Sequence, residues 1–334
     1  ENESTTITSD GVIVDTDGPI SGTVLDGTSA DIDWTNSTSS LTATWSSFSD
    51  TLSGIQKYEY AIGTEIDSFS LVNWTSTGLD TFFIESDLTL ISSVTYFVFV
   101  KATDHVSNIG NISVSDGITV DLIVPLVGEL YDGSEVEDMD WQSSDSTFAL
   151  YWSGSDSREL DYYQYSVGTA PGDSNIVAWT SVSTNTSMSL ENVELLEEQT
   201  YYGNVRAVDR AGNISDVVSS DGITIDYSAP VNGSVNDGLV ADLIFTGTAD
   251  SLSANWFGFS DSISGISNYE YAIGTTVQGT DVVSWASTVT DSSMTHSGLT
   301  LANGSSYFIS VRAIDFAGNV SDTESSDGVT VDIE

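Results

Sequence analysis

The phrase Ser-Asp-Gly-(Ile/Val)-(Ile/Thr)-(Ile/Val)-Asp stands at residues 9–15, 115–121, 220–226 and 326–332. Its Asp10, Asp116, Asp221 and Asp327 are spaced 106, 105 and 106 residues apart. A period so long and so regular is a whole domain repeated in tandem, not the short unit of a solenoid. A chain of 334 residues has room for three. Its function must be one that similar modules can perform in series.

Charge narrows the choice further. Fifty acidic residues face six basic ones, a formal charge of −44. DNA, RNA and anionic lipid all require Lys or Arg to displace counterions, so neither a nucleic-acid partner nor a membrane surface is expected. Divalent cations and salty media suit such a surface, and self-repulsion keeps the chain soluble. Hydrophobic residues still make up 39% and aromatic residues 10%, enough for a core in each module, which argues against disorder. Cysteine is absent, so the modules must hold by packing or by metal. No apolar run approaches the roughly 20 residues of a membrane helix. Glu1 in place of Met, with abundant Ser, Thr, Asp and Asn, reads as a processed or excised extracellular or cell-surface protein.

Alignment of the repeats exposes strands. Each module opens after a proline, Pro19, Pro125 or Pro230, with a short strand and turn such as Ser21-Gly-Thr-Val-Leu-Asp-Gly27. Leu41-Thr-Ala-Thr-Trp45, Phe148-Ala-Leu-Tyr-Trp152 and Leu252-Ser-Ala-Asn-Trp256 then carry apolar residues at every second position, the mark of one buried sheet face. Next comes Ile55-Gln-Lys-Tyr-Glu-Tyr-Ala-Ile-Gly-Thr64 with its equivalents at 160–169 and 266–275, followed by Trp74, Trp179 or Trp285. The strongest strand, Tyr96-Phe-Val-Phe-Val-Lys-Ala102, recurs at 201–207 and 307–313 and ends in a polar hairpin such as Asp209-Arg-Ala-Gly-Asn213. The repeated phrase forms the closing strand. No segment sustains a helical period, so the fold class is all-β. About seven strands in about 100 residues predict a β-sandwich.

These residues carry a resemblance. The Trp closing the second strand, the Tyr-rich third strand and the Leu-(five residues)-Tyr spacing of Leu90/Tyr96, Leu195/Tyr201 and Leu301/Tyr307 resemble the fibronectin type III (Fn3) pattern. In that fold the leucine and tyrosine form the tyrosine corner. The Val-(Lys/Arg)-Ala-x-Asp-x-Ala-Gly-Asn ending is similar to Fn3/Ig-like repeats of bacterial surface and adhesin proteins. The resemblance implies three tandem Fn3/Ig-like sandwiches in an extended array, at 19–124, 125–229 and 230–334. Residues 1–18 then carry an extra strand. Two positions depart from the pattern: Ser107 replaces the hairpin glycine, and Phe245 stands where other modules have Trp34 and Trp141. Neither position is expected to serve a required site.

Catalysis is not expected. His105 and His296 are the only histidines and fall at non-equivalent positions. No nucleophile motif, phosphate loop or zinc-protease helix is present. Recurrence of the acidic residues in every module suits structure better than one active site.

The Fn3 resemblance places two loops at the end of each module where the preceding linker enters. Asp15 and Asp17 of the linker, Asp50 and Asp104 would meet at the first joint. Asp121, Asp156 and Asp209 would meet at the second, and Asp226, Asp261 and Asp315 at the third. Calcium takes about 6–8 oxygen ligands from such sets. The other reading is turn chemistry, because Asp and Asn side chains bond nearby backbone amides and Gly212 and Gly318 suit left-handed turn positions. No cofactor is required on that view.

Lys101, Arg206 and Arg312 recur at one outward position and predict a cross-strand pair with Glu59 and Glu270, where module two has Gln164. Sequons occur at Asn2, Asn36, Asn73, Asn111, Asn185, Asn213, Asn232, Asn303 and Asn319. Trp45, Trp152 and Trp256 read as core. Trp74, Trp179 and Trp285 stay open between packing and a glycan platform. Residues 5–15 read as the tail of a preceding module, or as a strand that completes a neighbouring copy and gives a head-to-tail filament. The expected function is a structural or adhesive extracellular stalk or spacer. The alternative is a carbohydrate-binding accessory region of a secreted enzyme.

Overall fold

The computed structural model describes residues 4–66, 68–134, 137–155 and 160–334. It is all-β. In the first repeat the strands are β1 (Thr23–Asp26), β2 (Trp34–Thr35), β3 (Leu41–Ser46), β4 (Ile55–Gly63), β5 (Val72–Gly78), β6 (Phe82–Glu85), β7 (Thr95–Asp104), β8 (Ser113–Val114) and β9 (Ile118–Val120). One sheet has the order β1-β3-β6 and the other β2-β9-β7-β4-β5, with β8 also on β7. This is the two-sheet arrangement of an Fn3/Ig-like sandwich. The second and third repeats have sheets of the same order.

Where the sequence predicts about seven strands, nine segments form. The first strand is broken because it changes sheet midway, and the last is broken into two segments, β8 and β9, that pair with different stretches of β7. The chain leaves the first sheet after β1 and re-forms as β2, which runs parallel to β9. The repeated Ser-Asp-Gly phrase is the break in the last strand. Ser115 N–H donates to the Val98 carbonyl at 2.9 Å, and its Oγ accepts the Val98 N–H at 3.0 Å. Gly117 then turns with φ +105°, and a Cβ there would lie 2.7 Å from the Phe97 ring. Ser220 and Gly222, and Ser326 and Gly328, repeat this geometry. Only glycine fits that turn.

By compactness the chain divides into two units. One runs to Leu126 and takes in Ser155–Tyr162 and Ala207–Ser215; the other comprises Val127–Gly154, Tyr163–Arg206 and Asp216–Glu334. Residues 5–15 form no strand, and Ile7, Val12, Ile13 and Val14 are exposed.

Alternation on β3 and β7 fills the core. Leu41, Ala43 and Trp45 face Tyr96, Val98, Val100 and Ala102, all buried. The closing tryptophan of the third strand meets a tyrosine edge-on in every module: Trp45 with Tyr58 at 5.8 Å, Trp152 with Tyr163 at 5.7 Å, Trp256 with Tyr269 at 5.7 Å. The tyrosine corner is present three times. Tyr96, Tyr201 and Tyr307 accept the N–H of Ile91, Leu196 and Ala302, each at 2.9 Å. Replacing Tyr201 by Phe removes one such bond and little volume. We expect a loss of about 1 kcal/mol in the middle module, seen by calorimetry as one transition moving down while the others stay.

Candidate functional sites at the linkers and on the outer sheet

Linker, loop and hairpin do meet. Carboxylate oxygens of Asp15, Asp50 and Asp104 lie within 4.8 Å of one another, and so do those of Asp226, Asp261 and Asp315. Asp104 is the last residue of β7 and is fully buried, as are Asp226 and Asp315. Asp315 is held above the usual carboxylate range, first by burial and then by the charges of Asp226 and Asp261, against the pull of its Asn319 bonds. Such oxygen-only sets are the donors a hard cation takes.

Turn chemistry uses the same atoms. Asp50 Oδ1 accepts N–H bonds from Leu52, Ser53 and Gly54 at 3.1, 2.9 and 2.7 Å. Asp261 Oδ1 accepts from Ile263 and Gly265. Asp226 accepts from Ser228 on one oxygen and Ser264 on the other. Asp15 Oδ2 is buried without a hydrogen-bond partner. Asp17 stands outside the trio of Asp15, Asp50 and Asp104; its carbonyl accepts from Asn108. At the middle linker Asp121 and Asp209 are joined through one asparagine, and Asp156 lies outside the described residues.

That asparagine is the feature the sequence reading passed over. Asn108, Asn213 and Asn319 close the polar hairpins. Each takes its backbone N–H and one side-chain N–H to the two oxygens of the hairpin aspartate, at 2.8–2.9 Å. The same amide nitrogen reaches the linker carbonyl of Asp15 at 3.3 Å, Asp121 at 2.9 Å and Asp226 at 2.8 Å. The recurrent Asp-(three residues)-Asn spacing was the available signal. Its partner 90–93 residues away was not. Asn213 and Asn319 are also sequons, and their amide groups are engaged in these bonds.

On the outer face of the larger sheet, Lys101, Arg206 and Arg312 lie over the rings of Trp74, Trp179 and Trp285 at 4.1, 4.3 and 4.3 Å. The opposite side of each cation meets the expected strand partner. Arg312 Nε donates to Glu270 at 2.7 Å, Arg206 Nε to Gln164 at 2.8 Å, and Lys101 Nζ lies 3.9 Å from Glu59. Pairing of Glu59 with Lys101 and Glu270 with Arg312 in the strand register explains both. The indole face is therefore occupied by a guanidinium or ammonium group, at about 0.5–1 kcal/mol per stack. His296, for its part, bonds the Tyr271 hydroxyl through Nδ1 at 2.8 Å.

No family model matches the chain. Exoglucanase B of Cellulomonas fimi is 27% identical over 325 residues, covering 92% of this chain and 24% of that protein. The chain thus spans about a quarter of the length of that relative. Among solved structures, the FN1–FN3 domains of chicken CNTN1 share 16% identity at a TM-score of 0.35, covering 92% of this chain and 98% of that one. A fragment of titin shares 15% at 0.40, covering 94% and 99%. A solved chain from a structural study of a 1.5-MDa bacterial ice-binding adhesin shares 18% at 0.39, covering 94% of this chain and 98% of that solved chain.

Proposed function

We propose that the chain is a non-catalytic spacer segment of a secreted or surface-exposed protein, in which calcium and the asparagine clasp together stiffen the linkers. The clasp carries this reading. Asn108, Asn213 and Asn319 spend side-chain hydrogen bonds on linker carbonyls in all three repeats, which is what a module with a held joint requires. The acidic surface supports it, since like-charged modules stay soluble and resist collapse on one another.

A second reading, glycan-binding accessory modules, is favoured by the likeness to an exoglucanase over most of this chain. The cation-capped indoles weigh against Trp74, Trp179 and Trp285 as a sugar platform. Small-angle scattering of the full chain with calcium, with chelator, and of the Asn213→Ala variant tests the first reading. Chelator and variant are each expected to broaden the distance distribution without unfolding the modules. Unchanged curves in both would overturn it. Retention of the chain on glucan, lost on Trp179→Ala, would establish the second reading in its place.

A further inference from the structure

Each sandwich buries one carboxylate that the linkers do not use. Asp26, Asp132 and Asp237 end the first strand of each repeat with no accessible surface. One oxygen of each is accounted for. Asp26 Oδ2 accepts the Gly117 N–H at 3.0 Å, Asp132 Oδ2 that of Gly222 at 3.0 Å, and Asp237 Oδ2 that of Gly328 at 3.0 Å. The Ser115, Ser220 and Ser326 hydroxyls adjoin the same carboxylates. The other oxygen, Oδ1, is buried in all three and has no hydrogen-bond partner. A buried charged oxygen left so is costly, and finding it three times at one position calls for a ligand.

Two further carboxylates converge on each. Asp31 and Asp116 join Asp26, Asp138 and Asp221 join Asp132, and Asp242 and Asp327 join Asp237, with ligand oxygens within 4.8 Å of one another. The second member is locked in place because its Oδ1 accepts the N–H of the buried one, at 2.9, 2.8 and 3.0 Å. The third member is the aspartate of the repeated Ser-Asp-Gly phrase. Lys57, Lys101, Arg206 and Arg312 are engaged elsewhere, with Glu59, Gln164 and Glu270.

We infer that each module carries a divalent-cation site, best suited to calcium, formed by Asp26, Asp31 and Asp116, by Asp132, Asp138 and Asp221, and by Asp237, Asp242 and Asp327. Three direct carboxylates from two segments far apart in sequence suit calcium, with its loose oxygen shell. Magnesium keeps several waters and takes one or two carboxylates. The ion would tie the turn after the first strand, where that strand leaves one sheet for the other, to the break in the last strand. The repeated phrase then has a division of labour: Ser bridges the ladder, Gly makes the turn, and Asp completes the cation shell. These sites are separate from the linker clusters and do not depend on calcium binding there.

The test uses the full chain stripped with chelator and dialysed against calcium in the range of about 0.1–1 mM typical of extracellular modules. Bound metal is counted in wild type and in the triple variant Asp116→Asn, Asp221→Asn, Asp327→Asn. These side chains are exposed, so the variant should fold, which circular dichroism checks. The expected result is a loss of three equivalents of calcium. The metal-free variant should melt at or above metal-free wild type because like charge is relieved, while its rise on adding calcium shrinks. Equal calcium in the two proteins, or none in wild type, would overturn the inference. A parallel Asp50→Asn, Asp261→Asn variant should keep those three equivalents; losing them would assign the binding to the linkers and overturn it as well.

Discussion

Trp152→Ala should cost the middle module about 3–5 kcal/mol, the range for deleting a buried large aromatic. Trp152 has no accessible surface and packs edge-on against Tyr163. A domain of this size has only about 5–15 kcal/mol to lose, so the substitution would bring the middle module near or below marginal stability at growth temperature. Three modules in one chain need not unfold together. Calorimetry should therefore show one transition falling steeply while the other two move little. Trp152→Phe is the informative control. The indole Nε1–H of Trp152 is buried without a hydrogen-bond partner, as are those of Trp45 and Trp256. Phenylalanine removes that orphan donor and keeps most of the ring contact, so its cost should be well under that of alanine. Equal costs for the two would mean that packing against Tyr163 is not what holds the module. A calorimetric trace in which all three transitions fall together would refute module independence.

Period-2 alternation in Leu41-Thr-Ala-Thr-Trp45 and Tyr96-Phe-Val-Phe-Val-Lys-Ala102 made the core strands and their inward faces legible, because one buried sheet face leaves a simple imprint. The Leu90/Tyr96 spacing did the same for the tyrosine corner, and the outward Lys101 and Arg312 for their pairing with Glu59 and Glu270. The asparagine clasp stayed hidden because it depends on contacts about 90 residues apart. Nothing local to Asn213 shows that its amide reaches the Asp121 carbonyl. Trp74 could not be placed under Lys101 because an irregularity between Tyr60 and Ile62 shifts the register of β4 and β5. Asp26 is the instructive case. It reads as a turn residue in Val-Leu-Asp-Gly, yet alternation places it on the same face as the buried Val24. A carboxylate at a core-facing position in three repeats was visible as a pattern, and its meaning needed Asp31 and Asp116 beside it.

The same buried carboxyls set the pH dependence of the cation-free chain. Burial pushes Asp26 and Asp132 up to about 7 and Asp237 up to about 6, against 3.8 for an ordinary aspartate. Neighbouring charges on Asp31 and Asp116, Asp138 and Asp221, and Asp242 and Asp327 push the same way, opposed by the serine and glycine bonds. Asp221 is itself raised, by burial first and by Asp138 and Asp140 next. Between pH 4 and pH 7 the folded modules therefore retain protons that the unfolded chain has released. Stability from this source is complete below the unfolded value and is lost as pH rises through the folded one. In chelator, each module should lose on the order of 2–4 kcal/mol from pH 4.5 to pH 7.5 and then level off. General repulsion among fifty acidic groups adds a slope of the same sign, so the specific part is read by difference. Asp26→Asn, Asp132→Asn and Asp237→Asn, combined, should flatten the curve because an amide does not titrate. Calcium should oppose the loss above pH 6 by replacing the proton with a cation, so that curves with and without metal diverge as pH rises. If the asparagine variant keeps the wild-type slope in chelator, the buried carboxyls are not the groups that titrate. If calcium leaves the wild-type curve unmoved at pH 7.5, the cluster holds a proton at low pH and nothing in its place above.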